Sequence, residues 1–211
     1  MTPERTEKFQ RVVAQRQFNL TVILENVHDP HNIGAVLRSC DSVGIHEIYV
    51  LYTNEGLTEE NLVIGKRSSS GARKWVDVHY FTDVQKCFGE VRKKYEKIFC
   101  THLSHDSKNL YDLDLTQSVA LLFGNEHDGV SEKSLKYCDG NFLIPQMGMV
   151  KSLNISVACA VSLYEAARQR MEKKFYDANP TSTVSERNGL MEEYIKRHEL
   201  HLKNRRVKSE K

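Results

Sequence analysis

Long apolar runs are missing from this sequence. Nothing approaches the roughly 18 consecutive apolar residues of a membrane span. The opening stretch, MTPERTEKFQRVVAQRQF, is charged throughout and lacks the apolar centre of a secretory signal. The five cysteines (Cys40, Cys87, Cys100, Cys138, Cys159) are odd in number and scattered, and none forms C-x-x-C. Neither a disulfide frame nor a zinc site is therefore expected, and a reducing cytoplasm is the expected compartment. Three histidine pairs (His28 and His31, His102 and His105, His198 and His201) are loosely spaced without a supporting cluster, so no metal is expected. Also absent are G-x-x-x-x-G-K-[ST], G-x-G-x-x-G after the first strand, and G-x-S-x-G. These absences exclude a P-loop, an ordinary dinucleotide cradle and a hydrolase elbow. A formal net charge of +2 does not mark a nucleic-acid binder, so the placement of the basic residues matters more than their sum. No repeat or low-complexity tract is evident.

What is present is an alternation of strand-like and helix-like segments over most of the 211 residues. Residues 1–17 pair Phe9, Val12 and Val13 with Arg5, Lys8, Arg11 and Arg16, an amphipathic helix with a basic face. Strands are predicted over 18–27, 46–52, 75–81, 97–101, 118–123 and 141–144, from β-branched and apolar runs. Helices are predicted over 33–43, 83–95 and 130–137, and from Ser152 onward. A strand, a helix and another strand within about 35 residues make a βαβ unit with right-handed crossover. The pattern predicts a mostly parallel, doubly wound α/β sheet, whose ligands sit outside the carboxyl ends of the strands. Lys66 to Gly71 reads as an exposed loop or ragged helix end. From Lys173 the charge rises, with one further helix around Glu186 to Arg206 and a basic segment from Lys196 to Lys208. The expected divisions are 1–17, 18–172 and 173–211.

The carboxyl-end rule points to three loops, each with two readings. Asn32 with Arg38 and Ser39 is either a cap and a surface arginine, or a site for a phosphate or carboxylate. Asn32 and Arg38, six residues apart, do not share a helix face unless Asn32 precedes the helix. Gly124-Asn125-Glu126 is either a tight turn or a place where a ligand approaches the backbone. Ile144 to Val150, broken by Pro145 and Gly148, either covers the core or presents main-chain groups to a flat polar ring such as adenine. Ser152 and Asn154, where that loop meets the following helix, are caps or site residues.

Taken together, ENVHDPHNIGAVLRSCDSVG (Glu25 to Gly44), LLFGNEHDGVS (Leu121 to Ser131) and IPQMGMVKSLNISVACAVSLYEAARQR (Ile144 to Arg170) resemble the SPOUT superfamily of RNA methyltransferases. They are most similar to its TrmH-type tRNA ribose 2′-O-methyltransferases. The resemblance covers about residues 18–172. It implies a sheet whose C-terminal part is tied in a deep trefoil knot by the loops after Thr101, Phe123 and Ile144. It implies S-adenosylmethionine bound in bent form by those loops, and an obligate homodimer whose partner chain completes each site. The helix Ser152 to Ala167 is then an interface candidate.

Carried over residue by residue, Arg38 matches the family's catalytic arginine and Asn32 the asparagine that positions it. Glu126, Ser152 and Asn154 match the remaining polar positions. Thr101, Gly124, Ile144, Met149 and Leu153 are expected to hold the cofactor. Arg11, His31, Arg168 and Arg170 are expected to contact RNA, with Arg5 and the Lys196 to Lys208 segment as further phosphate contacts. The implied reaction is attack of a ribose 2′-hydroxyl on a sulfonium methyl. Two readings of Arg38 stand: a base assisted by a substrate phosphate, or a cation that holds the phosphate and stabilises the developing alkoxide, since arginine stays protonated below about pH 12. Short helical flanks and no room for an added N-terminal domain favour tRNA, specifically guanosine 18 of the D-loop. The alternatives are ribosomal RNA as substrate, or an inactive RNA-binding relative.

Overall fold

The strand-like runs fold as strands, fully buried at the sheet's centre and half-buried toward its edges. In the computed structural model, which describes residues 1–54, 71–150 and 152–209 (side chains of 205–209 excepted), six of them become core strands. These are β1 (Leu20–Glu25), β2 (Glu47–Leu51), β3 (Asp77–Phe81), β4 (Lys97–Thr101), β6 (Val119–Phe123) and β7 (Gly140–Leu143). A two-residue β5 (Lys108–Asn109) joins them at the edge. The order across the sheet is β3-β2-β1-β6-β4-β7-β5, and every pairing is parallel. The expected parallel α/β sheet is observed. The expectation at Lys66 to Ser70 lies outside the described residues.

Alternation along the strands sends side chains into two cores. Leu20, Val22 and Leu24 of β1, with Val119, Leu121 and Phe123 of β6, pack against Ile33, Val36 and Leu37 of α2 (Pro30–Ser42) and Cys159, Leu163 and Ala166 of α5 (Ile155–Glu172). On the other face Ile23, Tyr49, Ile98 and Leu122 meet Phe88 and Val91 of α3 (Val84–Arg92). The short α4 (Glu132–Leu135) lies on that side, with Leu135 against the same cluster. Outside both, α1 (Pro3–Ala14) and α7 (Val184–Ser209) pack on each other. Phe9, Val13, Leu190 and Tyr194 form a third cluster there, with Trp75 against it. A four-residue α6 (Phe175–Ala178) links α5 to α7. Among the described residues no helix is long and apolar enough to cross a membrane.

Arg16, expected on the basic face of the first helix, is instead buried and paired with Asp41 (2.6 Å), and two further buried charges hold the ends of the sheet. Arg170, expected to meet RNA, is fully buried on α5. Its guanidinium donates to the carbonyls of Leu115 (3.0 Å) and Gln117 (3.0 Å) and to the side chains of Gln17 (3.1 Å) and Asn19 (2.6 Å). Burial pulls its pKa down to about 10, against the opposing pull of Tyr176 and Asp114. It is a strut between α5 and the amino ends of β1 and β6, so no RNA reaches it. Arg170→Met leaves these acceptors unpaired and is expected to cost about 3 kcal/mol or more of unfolding free energy in a denaturant titration. The other charge is Glu25, also fully buried, at the end of β1. It accepts from Ser131 Oγ (2.6 Å), Ser131 N (3.0 Å) and Ser134 Oγ (2.7 Å), and so ties α4 and the chain that enters it to β1.

Candidate functional site

The carboxyl ends of β1, β6, β4 and β7 are neighbours in the sheet, so the loops that leave them converge. Between them lies a cleft of about 400 Å³. Thr101 and Leu103 from β4's end, Gly124 and Glu126 from β6's end, and Ile144 and Gln146 from β7's end line it; Ser152, Leu153 and Ala158 close it. The volume is in the range of a small-molecule site, and its walls mix backbone-rich loops with a few apolar side chains.

The loop after β6 folds back on itself. Asn125 and Gly129 exchange backbone hydrogen bonds (3.1 and 2.9 Å), and the Asn125 side chain accepts from the His127 amide (2.7 Å). Gly129 takes φ +68°, the left-handed region. The Asn125 amide donates to the Asn26 carbonyl (2.9 Å), and Asn26 in turn accepts from the Thr53 amide (2.8 Å). Thus the ends of β1, β2 and β6 are stitched together. A Cβ on Gly124 would lie 2.1 Å from the Gly129 carbonyl carbon and 2.3 Å from the Val130 nitrogen. The backbone that approaches Gly124 is therefore the chain's own.

At the mouth of the cleft a hydrogen-bond chain joins three loops that are far apart in sequence. Asn32 Nδ2 donates to Glu126 Oε1 (2.6 Å), and Asn154 Nδ2 donates to Asn32 Oδ1 (3.1 Å). Asn154 Oδ1 accepts from the backbone amide (2.9 Å) and hydroxyl (2.6 Å) of Ser156. Asn154 therefore does both things the sequence allows: it caps α5 and it anchors the chain. Asn32 sits inside the first turn of α2, where Asp29 is the cap, and does not precede the helix. Its amide is oriented by Glu126 on one side and Asn154 on the other. Asn32→Ala unpairs both neighbours. It is expected to lower kcat/KM about tenfold to a hundredfold in a methyl-transfer assay, with little change in thermal stability because the chain is solvent-facing.

Arg38 lies six residues, about 9 Å of helix rise, beyond Asn32. It is exposed, makes no ion pair with any described residue, and does not line the cleft. Of the residues expected around a cofactor, Thr101, Gly124, Ile144 and Leu153 line the cleft. Thr101 Oγ1 is turned to the Leu122 carbonyl (3.4 Å). Met149 is 99% exposed and outside the cleft, because the chain after Pro145 runs out over the surface. Arg11 and His31 are exposed. Arg168 is already bound to Glu165 (2.8 Å) and Glu172 (2.5 Å). Asn26 and Glu25, which build the loop frame with Asn125, were not singled out by the sequence as site residues. The only signal was an asparagine or glutamate directly after an apolar strand.

Residues 19–164 match the SpoU rRNA Methylase family. A tRNA (guanosine(18)-2′-O)-methyltransferase of Thermus thermophilus is 40% identical over 176 residues, 83% of this chain and 88% of the relative. The crystal structure of the Aquifex aeolicus TrmH/SpoU tRNA modifying enzyme aligns with TM-score 0.79 and 33% identity, over 90% of this chain and 94% of that one. The SpoU methyltransferase AviRb of Streptomyces viridochromogenes, in complex with AdoMet, aligns with TM-score 0.66 and 29% identity, over 74% of this chain and 62% of that one. The matched region runs from the start of β1 into α5 and so contains every loop of the cleft and every member of its hydrogen-bond chain: this chain belongs to the SpoU methylase family.

Proposed function

We propose that the chain transfers a methyl group from S-adenosylmethionine to the ribose 2′-hydroxyl of guanosine 18 in the D-loop of tRNA. The observation that carries this reading is the Glu126–Asn32–Asn154 chain, which fixes three loops around one cleft of cofactor size. The match to a tRNA (guanosine(18)-2′-O)-methyltransferase over 83% of this chain and 88% of that relative favours tRNA over ribosomal RNA.

The cleft fits the cofactor on its own chemistry: the loops after β4, β6 and β7 bring main-chain groups to its walls, and Ile144 and Leu153 supply apolar contact. Bound there, S-adenosylmethionine supplies an electrophilic methyl group. The protein's part is then alignment and charge, worth several orders of magnitude when the reacting atoms are held in line. Glu126 and Asn154 fix the Asn32 amide, and Ser152 stands at the same rim. A guanidinium offers donors and no acceptor, so the role of Arg38 is to hold an RNA phosphate and stabilise the oxygen as its proton leaves.

Arg38 stands outside its own chain's cleft, which supports a homodimer in which it serves the partner's site. Val157, Tyr164 and Met171, exposed at seven-residue spacing along α5, support a second copy packed there. The same reading includes a trefoil knot. Supporting it, β6 returns between β1 and β4, β7 lies beyond β4, and the Gly129–Val130 backbone crowds Gly124. His31 at the start of α2 and Arg11 on α1 are proposed RNA contacts, with Arg168 a weaker one because its charge is already matched. The division into 1–17, 18–172 and 173–211 and a cytoplasmic location belong to the same reading. Deleting the gene should remove the 2′-O-methyl mark from tRNA and leave ribosomal RNA unchanged; loss from ribosomal RNA alone would overturn the substrate assignment.

A further inference from the structure

We propose that Arg5, Lys74 and His198 form a second RNA-phosphate site at the amino end of the sheet, away from the methyl-transfer cleft. It rests on the reading of the chain as a tRNA methyltransferase and adds to it a place where the rest of the tRNA is held.

The site is built on an aromatic platform. Trp75, just before β3, meets Phe9 of α1 edge-on (5.4 Å between centroids) and Tyr194 of α7 (5.1 Å). The Tyr194 hydroxyl donates to the Trp75 carbonyl (2.7 Å), which locks α7 to this turn. Arg5 lies over the Phe9 ring (5.3 Å), and Lys74 over the Trp75 ring (4.8 Å). The His198 ring packs edge-on against Phe9 (5.7 Å). Ring faces hold these cations in place without neutralising them.

That sets them apart from three arginines whose charge is already matched. Arg16 is matched by Asp41, Arg197 by Asp77 and Glu193, and Arg168 by Glu165 and Glu172. Among the described residues no carboxylate pairs with Arg5 or Lys74. With Trp75, His198 and His201 they line a depression of about 840 Å³ whose described walls contain no acidic residue. Arg5 Nε and His198 Nδ1 are shielded from water there and meet no hydrogen-bond partner among the described residues. A buried polar atom without a partner is costly, and a ligand oxygen would remove that cost. Electrostatics point the same way. Burial, then Arg5 and Lys74, hold the His198 imidazole below the usual histidine range, and burial and Arg5 lower Lys74. Like charges crowded without a counter-charge favour an anion.

The phosphodiester backbone is the anion that position and function select. Trp75 precedes β3, whereas the cleft lies beyond the carboxyl ends of the parallel strands, about 17 Å of strand length away. A folded RNA can touch both ends; a single small anion cannot.

The test is the Arg5→Gln/Lys74→Gln double variant, with thermal unfolding and S-adenosylmethionine affinity as folding controls. The expected results are a rise of about tenfold in KM for full-length tRNA with the loss falling on KM more than on kcat, a greater loss on full-length tRNA than on an isolated D-arm, and a salt dependence of tRNA binding shallower by about two contacts. Lys74→Arg should keep near-normal tRNA affinity, which guards against a merely unfolded variant. An unchanged KM and salt slope overturns the site. So does a double variant with normal tRNA binding in which inorganic phosphate alone shifts the His198 imidazole resonances of the native protein, since that would make it a site for a free anion. If the native protein binds tRNA with the expected slope but methylates none, the functional reading fails and the site stands.

Discussion

Arg38→Ala is expected to lower kcat for methyl transfer by about a thousandfold or more while S-adenosylmethionine affinity and thermal stability stay near native. The side chain is exposed, pairs with no described residue and stands outside its own chain's cleft, so the fold and the cofactor walls do not depend on it. Its loss removes a positive charge aimed at developing negative charge, and losses of single stabilising donors in water-poor sites reach this size. Steady-state kinetics with calorimetric cofactor binding separate the two effects. Retention of near-native turnover would remove Arg38 from the chemistry under either reading of its role.

The second large effect is expected from Gly124→Ala. The added methyl would sit 2.1 Å from a backbone carbon of Gly129, where no flexible side chain can yield. The turn from Gly124 to Gly129 must open, and with it the Asn125 links to Asn26 and the placement of Glu126. Cofactor affinity should fall by at least about a hundredfold, and the unfolding midpoint should drop by several degrees for an overpacking cost of roughly 1–3 kcal/mol. Near-native cofactor binding by this variant would contradict the close approach. The two variants also test the proposed dimer together. If Arg38 serves the partner's cleft, randomly assorted dimers of Arg38→Ala and Gly124→Ala protomers recover about a quarter of native activity, because half of them carry one intact site of two. If Arg38 acts within its own chain, the mixture stays inactive.

How far the sequence could be read depended on how local each feature is. β1, β2 and β6 were legible because apolar, β-branched runs buried on both faces have few other readings. β5 was not, since two residues carry no pattern. Strand order was also beyond reach: nothing local says that β6 returns between β1 and β4. Asn32, Glu126 and Asn154 were each visible as a polar residue at a strand or helix end, but their hydrogen bonds span separations of 94 and 122 residues and exist only in the fold. Arg170 shows the opposite error. A basic residue near the end of a helix reads as a surface contact, and only the carbonyls of Leu115 and Gln117 and the side chains around it make burial affordable. Met149 lies outside the cleft because the irregular loop that Pro145 begins leaves the cleft before reaching it.

The most direct test of the proposed activity is to methylate an unmodified tRNA transcript with labelled S-adenosylmethionine, digest it, and locate the modified nucleotide by mass spectrometry. The expected result is a single 2′-O-methyl group on guanosine 18, absent when that residue is 2′-deoxyguanosine. Methylation of a base, of another nucleotide, or of no tRNA under conditions where the cofactor binds would contradict it.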